Sequence, residues 1–508
     1  FLVGLVQGPT LYNPWKNPEL AKKRRNVVLN NMLVMGYLTP EQFEKESNRA
    51  LNIVDKPSLG TARFPDFLDI VRRQLKTEYQ ETDLTNQGLR IFTTLDPVAQ
   101  TRVQNSFRES VARLAGANPK RLKDLQGAVL ISRPENGELI AAVGSTQDFT
   151  GFNRTIDAKR QVGSLLKPVI YLSAIESGRY NWATQIEDSP ISIPVENNKS
   201  WTPKNYSGSG HGYVPLAQAL ANSYNLSAVR LGQEFGLSTF KNNLVKFGVT
   251  SKIPNYPSIF LGAVDMSPME MMSIYGNFAT GGFKYPVKAI RTVADSNGRL
   301  LDRYGLNVQQ TIEPSSAYIL NYGLQQVMSS GTGKSAYNTF SSELKLAGKS
   351  GTTNDTRDSW FAGYSGNNLA VVWLGLDDNK VTGLTGSTGA LPVWINVMKQ
   401  LRQKPVNLRQ TDDVQWQWID IASGELSAQG CGDAMYIPML RHTVPNRATA
   451  CGSSHYNVEP DYVPDQQPSS SQTISNDSIE NYIRESESNS SEDSNSSGHI
   501  ISSGSYQN

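Results

Sequence analysis

The order of its apolar runs constrains this chain more than any other feature. Residues 127–132 and 138–143 read as short strands, and Pro134-Glu135-Asn136-Gly137 lies between them. An Asn-Gly pair between two apolar runs is a strong short-range signal for a β-hairpin. About two hundred residues further on, three more strand-like runs follow closely, at 345–349, 359–364 and 368–376. The intervening sequence has helical spacing at about 164–177, 215–235, 268–278 and 315–327. Two strands, a block of helices and three strands imply a sheet closed by the two ends of one domain. The expected fold class is multi-domain α/β (α+β), built on a five-stranded antiparallel sheet flanked by helices.

At 508 residues the chain exceeds what one hydrophobic core usually supports. Residues 21–50 look helical, and Thr39-Pro40-Glu41 has the cap-then-proline pattern of a second helix start. A connecting region follows, with a helix near 67–79, an extended run at 89–95 and a helix opening at Asp96-Pro97. Beyond Pro464 the chain is Ser, Asn, Gln and acidic residues, too polar to offset the entropy of ordering, so 464–508 is expected to be disordered. That tail holds seven acidic residues against Arg484, a net −6 that leaves +8 on residues 1–463 of the chain's +2. The near balance of 48 basic and 46 acidic residues gives no argument for nucleic acid as a partner. The chain begins Phe1-Leu2-Val3-Gly4 without Met or a long apolar run, and reads as a piece of a longer protein whose signal or anchor lies elsewhere. Cys431 and Cys451, the two cysteines, fit one disulfide in an oxidising compartment or two unrelated thiols. With His442 and His455 they lack the paired spacing of a zinc site, and no metal or cofactor is expected.

Three short motifs carry the chemistry. Gly163-Ser164-Leu165-Leu166-Lys167-Pro168 opens an apolar helix, and Pro168 is tolerable only in a first turn, where the N–H groups have no intrahelical partner. Ser164 would then sit at the positive end of the helix with Lys167 one turn on, able to take the hydroxyl proton once burial lowers its pKa. About sixty residues later, Ser223-Tyr224-Asn225 offers a hydroxyl that can relay a proton and an amide that can hold a carbonyl and the lysine. Lys349-Ser350-Gly351-Thr352-Thr353 ends an apolar run; Gly351 lets a substrate backbone approach the strand edge, while Lys349 and the hydroxyls of Ser350 and Thr352 suit a terminal carboxylate. Each motif alone is weak evidence. All three in this order, between a leading hairpin and a trailing three-strand run, form the ordered triple of the penicillin-recognising enzymes.

On these residues the chain resembles the class A penicillin-binding proteins, over residues 1 to about 415. Residues Gln161 to Pro168 look like the family's nucleophile segment, and Lys349 to Thr353 with Asp358-Ser359-Trp360-Phe361-Ala362-Gly363-Tyr364 look like its final strands. Ser350 departs from the commoner Thr but keeps the hydroxyl. Leu5-Val6-Gln7-Gly8-Pro9, Asn17-Pro18 and Arg24-Arg25-Asn26-Val27-Val28-Leu29 look like the closing motifs of the family's glycosyltransferase domain, whose two catalytic glutamates lie further upstream. Loop lengths favour the 1B type. The resemblance implies a glycosyltransferase remnant at 1–60, a linker region at 61–125, a transpeptidase/β-lactamase-like domain at 126–415 and an extension at 416–463 with both cysteines.

It also implies a serine D,D-transpeptidase that cross-links peptidoglycan stem peptides and is acylated by penicillin. Ser164, Lys167, Ser223, Asn225 and Lys349 would be catalytic; Ser350, Gly351, Thr352 and Thr353 would bind substrate. Expected partners are stem pentapeptides and their lipid-linked precursor, β-lactams as inhibitors, an inner-membrane anchor outside this sequence, an outer-membrane lipoprotein activator and cell-division proteins. The work would be done on the periplasmic face of the inner membrane. A carboxypeptidase or β-lactamase would use the same groups, although no Glu-x-x-x-Asn segment between Ser223 and Lys349 offers to activate a deacylating water. A non-catalytic penicillin-binding sensor is a further alternative.

Three other features have plainer readings. Gly331-Thr332-Gly333-Lys334-Ser335 has Met328 where a phosphate loop needs Gly, and reads as a loop near the cleft. His211, in a Gly- and Ser-rich stretch, reads as solvated. Met266, Met269, Met271 and Met272 read as core filling.

Overall fold

The computed structural model describes residues 1–8, 11–53, 63–86, 88–147, 151–195 and 199–453. The expected disordered tail, 464–508, lies outside them. The chain divides into two units, Phe1–Leu68 and Asp69–Asn508. In the first, helices α1 (Pro18–Val34) and α2 (Pro40–Asn48) stand where helical spacing predicts them. Thr39 caps α2 reciprocally with Gln42, each side chain bonding the other's backbone N–H. Arg25 ties the two helices by donating to the carbonyls of Ser47 and Arg49.

The second unit begins to pair with itself far along the chain. Strand β1 (Arg90–Thr93) leads to helix α3 (Pro97–Ala117), whose first turn is capped by Asp96. The hairpin follows as β2 (Gln126–Ser132) and β3 (Leu139–Val143). Helix α4 (Lys167–Glu176) continues a short 3-10 turn, Gly163–Leu166. Strands β4 (Gln185–Asp188) and β5 (Gly212–Pro215) pair with each other ahead of α5 (Leu216–Ala221) and α6 (Asn225–Lys246). Next come α7 (Pro268–Ala279), β6 (Ile290–Ala294), β7 (Leu300–Arg303) and α8 (Pro314–Ser329). The late strands are β8 (Ala347–Thr352), β9 (Ser359–Tyr364) and β10 (Leu369–Gly375), then α9 (Leu391–Met398) and a hairpin, β11 (Val414–Asp420) and β12 (Ala434–Leu440).

The expected five-stranded antiparallel sheet is present, in the order β8-β9-β10-β2-β3. Its central strands are buried on both faces, which is why they read as unbroken apolar runs rather than as alternating ones. On one face Val129, Ile131, Ala370, Val372 and Phe361 pack with Val103, Phe107 and Val111 of α3 and with Trp394 and Val397 of α9. On the other lie α7 and α8, and Met266, Met271 and Met272 are buried as core whereas Met269 is half-buried.

Two features depart from the sequence reading. The helix expected over 215–235 is two helices, α5 and α6, broken at 222–224. In addition, β1 joins a three-stranded sheet, β1-β6-β7, whose other two strands had no clear alternation to reveal them. Cys431 and Cys451 are bonded, closing a loop of sequence separation 20 that contains β12.

Candidate active site

Ser164 lies in the 3-10 turn that becomes α4, so Lys167 and Pro168 occupy the first helical turn, as the proline required. Two glycines bring this turn against β8. Gly163 has φ +56°, and a Cβ there would overlap the Thr352 carbonyl. A Cβ on Gly351 would come within 2.6 Å of the Val162 carbonyl oxygen. The backbones of 162–164 and 351–352 are thus in direct contact, with the half-buried Ser164 between them and the helix. Its hydroxyl makes no hydrogen bond to any described residue.

Ser223 owes its place to how α5 ends. Ser223 N–H donates to the Leu220 carbonyl and Tyr224 N–H to the Ala219 carbonyl, the paired bonds of a Schellman motif. Ser223 sits at that motif's left-handed position, with φ +61°. A serine there costs roughly 1–3 kcal/mol. The turn is held by Lys167, whose Nζ donates to the Ser223 carbonyl at 2.5 Å and to Asn225 Oδ1 at 2.6 Å, with Ser223 Oγ at 3.3 Å. From β8, Lys349 Nζ donates to Ser223 Oγ at 2.9 Å and to its neighbour's carbonyl, Ser350 O, at 3.0 Å.

Both lysines are fully buried. Burial, and after it the Lys349 ammonium, holds Lys167 well below the usual amine range, with Asp188 pulling the other way. Burial alone brings Lys349 down to about 7. The arrangement therefore has a partly exposed hydroxyl at a helix start, a buried amine disposed to be neutral and a second amine that titrates near neutrality. A hydroxyl bridges the two amines. Such a set can move a proton between an attacking and a leaving group.

The remaining residues expected at the site are distributed unevenly. Ser350 Oγ shares a hydrogen bond of 2.8 Å with Thr332 Oγ1, and Thr352 Oγ1 accepts from Gly386 N–H at 2.9 Å. Thr353, expected to bind substrate, exchanges hydrogen bonds with the buried Asp358 through its hydroxyl. Asp358 also accepts from Arg160 Nε at 2.8 Å and Trp373 Nε1 at 3.0 Å. Thr353 thus ties down the end of β8.

The Gly331–Lys334 segment follows a helix, and no phosphate loop forms. Thr332 belongs to the segment expected as a loop near the cleft, and its hydroxyl bond to Ser350 joins that loop to the candidate site. His211 corrects another expectation: its ring stacks on Tyr224 at 4.0 Å, and its Nδ1 donates to Asp188 Oδ2 at 2.7 Å. It is engaged rather than merely solvated, because β5 pairs with β4 and carries it over that buried carboxylate.

Comparison with known proteins bears on this arrangement. The family model described as "Penicillin binding protein transpeptidase domain" matches residues 127–399. Penicillin-binding protein 1B of Vibrio cholerae is 37% identical over 401 residues, covering 78% of this chain and 51% of that protein. For penicillin-binding protein 1B of Escherichia coli the identity is 33% over 420 residues, covering 81% and 49%. The chain thus spans about half the length of the curated relatives it matches. Among solved structures, penicillin-binding protein 1A from Haemophilus influenzae superposes with a TM-score of 0.70 at 22% identity, over 88% of this chain and 85% of that one. The PonA1 protein from Mycobacterium tuberculosis, solved in complex with penicillin V, gives 0.58 at 23% identity over 68% and 96%. At those identities the two structures speak for a shared fold.

Proposed function

Because the chain belongs to the class A penicillin-binding proteins of the 1B type and carries their transpeptidase domain, we propose that it is a serine D,D-transpeptidase acting through an acyl-enzyme on Ser164. The observation that carries this reading is the convergence of Lys167 and Lys349, both fully buried, on the Ser223 hydroxyl beside the turn that bears Ser164.

Neutral Lys167 takes the Ser164 proton as Oγ attacks the carbonyl carbon of the penultimate D-Ala of a stem pentapeptide. Backbone N–H groups of Ser164 and Thr352 steady the oxyanion. The bond to the terminal D-Ala nitrogen breaks, and Ser223 passes a proton to that amine, replenished from Lys349. Asn225 orients the stem, and Ser350, Gly351 and Thr352 receive the carboxylate end. An amine of a neighbouring stem then displaces Ser164 and completes the cross-link. A β-lactam acylates the same oxygen. In the whole protein, residues 1–60 would close a glycosyltransferase domain, and an anchor outside this sequence would hold the enzyme on the periplasmic side of the inner membrane. No helix among the described residues is long and apolar enough to cross a membrane.

Ser164→Ala should abolish covalent labelling by a fluorescent penicillin, with the wild-type adduct mapped by mass spectrometry to the peptide holding Ser164. Persistent labelling of the folded variant would refute the assignment. Adduct lifetimes of hours support transpeptidation, whereas turnover in seconds would favour a β-lactamase.

A further inference from the structure

The turn that carries Ser223 and Asn225 has a support that the proposed chemistry does not use. Helix α6 starts at Asn225, and its preceding residue, Tyr224, provides no side-chain cap. The first N–H groups of a helix have no partner within it. Here they are satisfied from elsewhere in the chain. Asn205 Oδ1 accepts from Asn225 N–H at 2.6 Å and from Leu226 N–H at 3.2 Å, and Asp188 Oδ1 accepts from Ser227 N–H at 3.0 Å.

Asp188, fully buried, also orders the residues around it. Its Oδ2 accepts from Asn205 Nδ2 at 2.6 Å and from His211 Nδ1 at 2.7 Å. The ring of His211 lies flat on Tyr224, 4.0 Å away at an interplanar angle of 10°. One carboxylate thus holds the Ser223-Tyr224-Asn225 turn in three ways: directly at Ser227, through Asn205 at Asn225, and through His211 at the middle residue. The turn needs such support, because Ser223 sits in a backbone conformation that serine rarely adopts.

We propose that Asp188, acting through Asn205 and His211, is the positioning residue that keeps Ser223 and Asn225 aimed at Lys167 and so sets the rate of acylation. This rests on the acyl-enzyme reading above. Side chains that lock reacting groups without touching substrate act on the chemical step, since small misplacements cost large factors in rate.

The test uses the 508-residue chain and stopped-flow acylation by a fluorescent penicillin, separating the binding constant from the first-order acylation rate, with melting followed by near-UV circular dichroism. Asp188→Asn leaves one oxygen for three donors, so its amide NH2 must face either Ser227 N–H or the Asn205 and His211 donors, and it should slow acylation about 10- to 100-fold while leaving penicillin binding unchanged. His211→Phe keeps the stack but loses the bond to Asp188, and should slow acylation several-fold; His211→Gln, which can still donate, should recover part of that loss. The His211 side chain is 31% exposed, so these two variants stay informative if the Asp188 variant does not fold. A folded Asp188→Asn or His211→Phe protein that melts lower but acylates at the wild-type rate would overturn the proposal. Labelling that survives Ser164→Ala would instead sink the acyl-enzyme reading itself.

Discussion

Gly163→Ala separates the close approach of two backbones from ordinary folding stability. The substitution asks alanine to adopt φ +56°, which costs roughly 1–2 kcal/mol. The new Cβ would also press about 1 Å inside van der Waals contact with the Thr352 carbonyl oxygen, and both partners are backbone, so neither can swing away. The 3-10 turn and β8 must therefore part by about that distance. This moves Ser164 away from Thr352, whose N–H is proposed to share the oxyanion with its own. A shift of that size costs about 100-fold in rate, while the loss in stability stays near 2 kcal/mol, within the 5–15 kcal/mol typical of folded domains. Gly236→Ala is the control. Gly236, at φ +81° and ψ 159° in a break within α6, lies in a backbone region nearly reserved for glycine and has nothing within 4 Å of a built Cβ, so alanine there costs at least as much conformationally without a collision. Urea unfolding should show both variants destabilised, whereas penicillin acylation should fall only in the Gly163 variant. Acylation within twofold of wild type in folded Gly163→Ala would refute the contact argument.

Acylation should depend on pH through both lysines. Lys349, brought to about 7 by burial, loses its charge as pH rises, so the second-order rate with a carboxylate-bearing β-lactam should fall above about 7. Lys167, also held well below the usual amine range, sets the acid limb, because its neutral form is the base; a flat profile from pH 6 to 9 would contradict this. Asp358→Asn strips the charge from a pair in which the Arg160 side chain is 13% and the Asp358 side chain 4% exposed, and should destabilise by about 3–5 kcal/mol in urea unfolding; a loss under about 1 kcal/mol would show that Arg160 finds another partner. Reducing Cys431–Cys451 should cost the β11–β12 extension about 3 kcal/mol by the loop-entropy argument, seen as faster proteolysis there with penicillin acylation unchanged.

What could be read along the chain is what local chemistry determines. The strands at 126–132, 139–143, 359–364 and 369–375 follow from apolar runs, the starts of α2 and α3 from Thr39 and Asp96, and the seat of Ser164 from Pro168 two residues into a helix. The three motifs were legible too, because each is a few contiguous residues. Everything that makes them one site joins residues far apart: Lys349 meets Ser223 across 126 positions, Arg160 meets Asp358 across 198, and His211 reaches Asp188 across 23 through strand pairing. The break between α5 and α6 was illegible because serine in a left-handed Schellman position has low local propensity, and it is held there by the amine of Lys167 from another helix. Likewise, no spacing rule reports that a carboxylate at 188 caps a helix at 227. Local propensity decides where a segment bends or extends. Only burial, which removes water as the alternative partner, decides which distant polar groups must find one another.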